Sequence, residues 1–306
     1  MEKTVYPVIK WAGGKRRLAP MIASRFYDDG LLRPGATYFE PFLGGGALMF
    51  YLKHKNAVGI DQNPELINFY NVLKNDPEGL YEKLQKDFAP YHSETFYYEI
   101  RNRDLEADFM KKYKKVDRAA RFVYLNKSCF NGIWRVNSKG HNNVPWNHQD
   151  KVSLPSLESI MCAHDYIVEN KISFVKGDYK KALDTAKSGD FVYFDPPYDV
   201  EPLQSGFTSY TKQGFGRKQQ QELKDSCDKL LRNGIAVAVS NSNTDFIKQL
   251  YTNSSDGYFF YTIVDENKLR LARTIAGKAC NRRYVNELLI IGKPKKVKAL
   301  FECLSI

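Results

Sequence analysis

The stretch "FVYFDPPYDV", Phe191 to Val200, decides how the chain is read. Four strand-forming residues, Phe191 to Phe194, stop at Asp195, and two prolines and a tyrosine follow. A short apolar run without polar alternation fits a buried strand of a parallel sheet. Working outward, similar runs also end in Gly or Asp. They are "ATYFEPF" before "LGGGA", "NAVGID" at Asp61, "ISFVKGD" at Asp178, "GIAVAVSNS" from Gly234 to Ser242, and "VNELLIIG" toward the C-terminus. Helical patterns such as Pro64 to Lys74 and Lys218 to Arg232 lie between most of them. This alternation predicts an α/β fold with helices on both faces of the sheet. Between Asp61 and Ile172 no buried strand is expected. That gap predicts an inserted, mostly helical domain at 63–169, flanked by a catalytic domain built from 1–62 and 170–306.

The bulk numbers narrow the partner. The 306 residues are 43% hydrophobic and 26% charged, which fits a globular chain. No run approaches the roughly 20 apolar residues of a membrane span. The start lacks a signal-peptide core, so a cytoplasmic protein is expected. Lys and Arg number 46 against 35 acids, a net charge of +11 that points to a polyanion. The charge is concentrated: Arg101 to Lys127 holds nine basic and four acidic residues, and Glu266 to Lys298 ten and two. Five scattered cysteines without a C-x-x-C pair argue against disulfides and against zinc, and no metal site is expected.

Ligands of open α/β sheets sit outside the carboxyl ends of the strands. Asp61, Asp178, Asp195 and the glycines Gly44 to Gly46 all fall there. A single acid at such a place is usually a cap or turn residue, but three acids and a glycine turn on one sheet are harder to dismiss. A dinucleotide fingerprint fails at Met49, where glycine is needed, and a P-loop fails at Ile9 and Arg16. Asp61 is placed to bind ribose hydroxyls, and S-adenosyl-L-methionine suits a glycine turn that has no phosphate cradle. An exocyclic amine of a nucleobase must move toward tetrahedral geometry to accept a methyl group. Asp195 and the carbonyl of Pro196 supply acceptors for its hydrogens, Pro196 and Pro197 fix the backbone, and Tyr198 offers a ring for the base. Cytosine-C5 chemistry is disfavoured, because no proline precedes a cysteine.

Together, "KWAGGK", "FEPFLGGGALMF", "FDPPY" and "FNGIWRVNSKG…NNVPW" resemble the Dam-type, DpnII-methylase-like DNA adenine-N6 methyltransferases of the D12 class, over nearly the whole chain. The resemblance implies a Rossmann-like, S-adenosylmethionine-dependent methyltransferase sheet with an inserted DNA-recognition domain. It also implies transfer to the N6 of an adenine flipped from double-stranded DNA, with GATC as target. Trp11, Ala12, Gly13 and Lys15 then form the first part of the cofactor site. Phe39 would pack on the cofactor's adenine, with Glu40, Pro41 and Gly44 lining the pocket, Asp61 on the ribose and Asp178 on the adenine amine. On the residues alone, Trp11 and Phe39 read as core packing. Asp195 to Tyr198 would hold the target base. Phe130 and Asn131 match the residues inserted beside it. Ile133, Arg135 and Pro145 match base readers, Lys10 a lysine at the first guanine, and Asn137 and Lys139 loop or phosphate positions. Trp146 and Asn147 depart from the family's continuation. The alternatives are a cytosine-N4 or RNA-adenine methyltransferase and, in another class, an inactive DNA-binding protein. A monomer or weak dimer in a bacterial or phage-infected cell, with a restriction enzyme as a compatible partner, completes the expectation.

Overall fold

The apolar runs that end at an acid or a glycine turn become strands in the computed structural model, which describes residues 5–200, 215–252, 259–265, 271–272, 284–285 and 287–295. They are β1 (Tyr38–Glu40), β2 (Ala57–Asp61), β3 (Ser173–Lys176), β4 (Phe191–Phe194) and β5 (Ala236–Ser242). Strand β6 (Phe259–Asp265) was not among the expected runs. The short β7 (Leu271–Ala272) and β8 (Tyr284–Val285) pair with each other, and β9 (Glu287–Pro294) is the last strand. The fold is mixed α/β with seven strands in its main sheet. No helix among the described residues is long and apolar enough to cross a membrane. Most of the basic stretch Glu266–Lys298, with Cys280, and the terminal Cys303 lie outside the described residues.

The chain divides into two compact units, Met1–Ser24 with Leu43–Asp178, and Arg25–Phe42 with Tyr179–Ile306. In the first, β2 and β3 run parallel, from Val58 opposite Ser173 to Asp61 opposite Lys176. Asn63 caps the next helix, Pro64–Asn75, by accepting the N–H groups of Glu65 and Leu66, and Pro64 fills the first position, which has no donor to satisfy. This helix buries Leu66, Phe69, Tyr70 and Leu73 and packs on β2, β3 and the helix Lys115–Ser128. Each large apolar side chain so buried contributes about 1.5–3 kcal/mol. Buried ion pairs, Arg118 to Glu65 at 3.1 Å and Arg121 to Asp104 at 2.9 Å, fix the helices' register. From residue 62 to 172 the described residues hold helices and two isolated bridges, Cys129 with Trp146 and Val136 with Asn142, as the missing strand pattern predicts.

In the second unit β1, β4 and β5 run parallel, β9 is antiparallel to β5, and β6 is antiparallel to β9. Strand β4 is buried along its whole length. The helix Arg217–Arg232 lays Leu223, Cys227, Leu230 and Leu231 on β5 and β9. The carboxyl end of β4, the carboxyl end of β5 and the start of β9 therefore meet at one edge, where the D-P-P-Y run emerges.

Candidate active site and nucleic-acid interface

Within the second unit, Asp195 and Tyr198 are half-buried, Pro196 is buried and Pro197 is exposed. Buried polar side chains clamp the loop from below. Gln220 donates to the carbonyl of Pro197 at 2.8 Å. Asn241 donates to Gln220 at 3.0 Å and accepts the N–H of Asp199 at 3.1 Å. The Asp199 carbonyl accepts from Ser242 at 2.6 Å, and its carboxylate accepts from Thr244 at 2.8 Å and pairs with Arg217 at 3.4 Å. Gln220 and Asn241 are completely buried, so each broken bond would strand a polar group in a dry interior. Pro197's carbonyl is thus engaged, while among the described residues no group donates to that of Pro196. Asp195 and Pro196 stand where the loop leaves the strand end.

Carboxylates gather around that end. Tyr198 donates to Glu287 Oε2 at 2.8 Å. Tyr38 donates to the buried Glu40 at 3.0 Å, and the wholly buried Tyr193 shares a 2.7 Å hydrogen bond with Ser240. Burial, then the nearby charge of Asp195, holds the phenols of Tyr193 and Tyr198 well above their usual range, with Glu40 and Glu287 adding to Tyr193 and Glu287 to Tyr198. Such an edge favours positive charge developing on a bound amine. Phe39 is 3% exposed inside β1 and Pro41 is buried. Phe42, which the sequence reading passed over, keeps its ring half-exposed and stacks on Tyr179, with centroids 5.5 Å apart.

Within the first unit, the glycine turn follows from one close approach. A Cβ on Gly44, whose φ is +49°, would lie 2.6 Å from the indole of Trp11. Asp61, at the end of β2, accepts the N–H of Gly44 at 3.0 Å on one oxygen and that of Asn63 at 2.9 Å on the other. Burial raises its carboxyl above the usual range, and these backbone donors oppose the rise. Gln62 then reaches Asp178 at 2.7 Å, so Asp61 and Asp178 belong to one cluster with Trp11 and Gly44. Ala12 and Gly13 are exposed, while Lys15 is buried and donates to the Gly13 carbonyl at 3.1 Å. The donor set fits a nucleoside: Asp61 keeps lone pairs for hydroxyls, and the turn carries no side chain that would fill the space beside Trp11.

Also in the first unit, Asn126 ties together two segments that are remote in sequence. It is wholly buried in the helix Lys115–Ser128, accepts the N–H of Lys10, and donates to the carbonyls of Lys10 and Gly132. Gly132, at φ +64°, has no room for a side chain because Lys10 passes 2.7 Å from where its Cβ would stand. Phe130, Asn131, Arg135, Asn137, Lys139, Pro145 and Lys10 are exposed, and Ile133 is half-buried. The N–H of Phe130 donates to the Pro145 carbonyl at 3.0 Å, which joins the two ends of this loop. Asn143 holds the Arg135 guanidinium through Nε at 2.7 Å and Nη2 at 3.1 Å, which orients the exposed side chain. Asn137 accepts the N–H groups of Lys139 and His141 and shapes the turn.

Sequence comparison names the class to which these features belong. Residues 11–270 match the family model of the D12 class N6 adenine-specific DNA methyltransferases. The type II methyltransferase M1.LlaDCHI of Lactococcus lactis subsp. cremoris is 37% identical over 93% of this chain and 94% of its own length. The type II methyltransferase M.MjaIII of Methanocaldococcus jannaschii is 36% identical over 81% of this chain and 88% of its own. A DNA adenine methylase of Vibrio cholerae is 30% identical over 94% and 95%. With a strand-end D-P-P-Y loop, a glycine turn tied to an acid, and a family match over most of its length, the chain belongs to the D12 class of N6 adenine-specific DNA methyltransferases.

Proposed function

We propose that the chain methylates the N6 of an adenine flipped out of duplex DNA, within GATC, using S-adenosyl-L-methionine. When bound, that cofactor supplies an electrophilic methyl group. The cluster of Trp11, Gly44, Asp61 and Asp178 is the part of the first unit assigned to hold it, with Ala12, Gly13 and Lys15 shaping the segment next to Trp11. Glu40, Pro41 and Asp195, which the family resemblance also links to cofactor binding, belong to the second unit. The half-exposed ring of Phe42 suits an adenine face better than the buried Phe39 does.

The observation that carries this reading is the clamped D-P-P-Y loop. Gln220 takes the Pro197 carbonyl and holds the loop, so that the Asp195 carboxylate and the Pro196 carbonyl are proposed as the acceptors for the two hydrogens of an amine. As the nitrogen becomes tetrahedral and cationic, those acceptors bind it more strongly than the planar ground state. Tyr198 would stack on the base and Phe130 would fill the vacated space, with Asn131 beside it. Arg135 is the base reader best supported, because Asn143 aims its fork before DNA arrives. Ile133, Pro145 and Lys10 complete the reading set, and Lys139 lies near phosphate. Residues 63–169 are assigned to target recognition. The type II names of two relatives support a role beside a restriction enzyme.

Expression in a host without DNA methylation, followed by base-resolution mapping, tests the reading. N6-methyladenine confined to GATC is expected. N4-methylcytosine, or methylation of RNA alone, would assign the same amine chemistry to another substrate, and modification at another motif would overturn GATC.

A further inference from the structure

Tyr198 and Glu287 stand 89 positions apart and meet at 2.8 Å. Glu287 opens β9 and pairs across the ladder with Ser242 of β5. That cross-strand pair grips two consecutive residues of the loop. Ser242 holds the backbone carbonyl of Asp199 at 2.6 Å, and Glu287 holds the side chain of Tyr198. Backbone and ring are thereby fixed from one ladder position.

Glu287 is a half-buried carboxylate, and it acts on Tyr198 together with a second one, Asp195. Nothing in the packing of β9 calls for a charge at this position, since the rest of the strand is apolar up to Gly292. The phenol gives this polar side chain a reason to be there: its oxygen accepts the O–H of Tyr198 and anchors the far end of the ring. A ring held only by its Cβ can tilt and turn over, whereas a ring also anchored at its oxygen presents one fixed face.

We infer that Glu287 is a positioning residue that orients the ring of Tyr198 against the target base. The inference rests on the proposed stacking of that base on Tyr198. Glu287 touches neither base nor methyl donor; it acts through the phenol alone.

A double-mutant cycle on single-turnover methylation of GATC duplex tests it. Glu287→Ala and Tyr198→Phe are each expected to lower the transfer rate about tenfold, with cofactor affinity unchanged. The double variant is expected to lie within about twofold of the slower single variant, because both remove the same hydrogen bond. Glu287→Gln, whose amide oxygen still accepts the phenol, is expected to stay within about threefold of wild type. Losses that multiply in the double variant, or a Glu287→Ala protein that transfers at the wild-type rate, would overturn the inference. If Glu287→Ala does not fold, the Tyr198→Phe and Glu287→Gln proteins carry the test. A slow Glu287→Gln protein that Tyr198→Phe slows further would equally count against it. A wild-type protein that modifies no adenine would instead remove the underlying reading.

Discussion

Lys127 lies in the last turn of the helix Lys115–Ser128, and its ammonium is partly buried close to Lys10. Burial, with a smaller contribution from Lys10, lowers it to about 8. Below that pH Lys127 is a cation, and above it Lys127 is neutral. Affinity for duplex DNA should therefore fall as pH rises from 7 to 9, and Lys127→Gln should flatten that dependence. Titrating binding by fluorescence anisotropy at both pH values checks this. The stability sign is opposite: the folded state holds fewer protons than the unfolded chain between about 8 and the ordinary lysine value, so this group adds stability as pH rises there. Gly44 is the second decisive single residue. Gly44→Ala drives a methyl into the Trp11 indole at a left-handed φ and should weaken S-adenosylmethionine binding tenfold or more, as read by calorimetry.

Elements become a site through buried amides that no motif advertises. Asn126→Ala would leave the N–H and carbonyl of Lys10 and the carbonyl of Gly132 without their partner. A loss of about 2–4 kcal/mol in unfolding free energy is expected, together with poorer discrimination of GATC from single-base variants. The strands that end at an acid were legible in the sequence, because a buried parallel strand must be apolar and its ligand-facing end polar. Strand β6 was not. It returns antiparallel beside β9, half-buried along much of its length, and so falls outside the strand-helix rhythm. Asp61, Asp178 and Asp195 could be named from their places at strand ends. Gln220, Asn241 and Glu287 could not, since their meaning lies in partners between 21 and 89 positions away.

Across the whole molecule, charge is the feature most altered by folding. Of the nine basic residues from Arg101 to Lys127, Arg118 and Arg121 are spent in buried ion pairs, and Arg103 and Lys112 face Glu99 and Glu106. Lys114 and Lys115 stand at the other end of the helix from Lys127, about 20 Å away by helix rise. The segment therefore offers fewer phosphate contacts than its composition suggests. Replacing Lys111, Lys114 and Lys115 with Gln should leave the slope of log affinity against log salt unchanged within about 1, whereas replacing Lys10 and Lys127 should reduce it by about 2.

The account turns on Asp195 as an acceptor for the target amine, placed by its loop and not required for DNA affinity. Single-turnover methylation and DNA binding of Asp195→Ala, measured side by side on one GATC duplex, test that most directly. The account predicts a transfer rate lower by at least about a thousandfold with a dissociation constant within about threefold of wild type. Transfer near the wild-type rate, or equal collapse of binding and transfer, would contradict it.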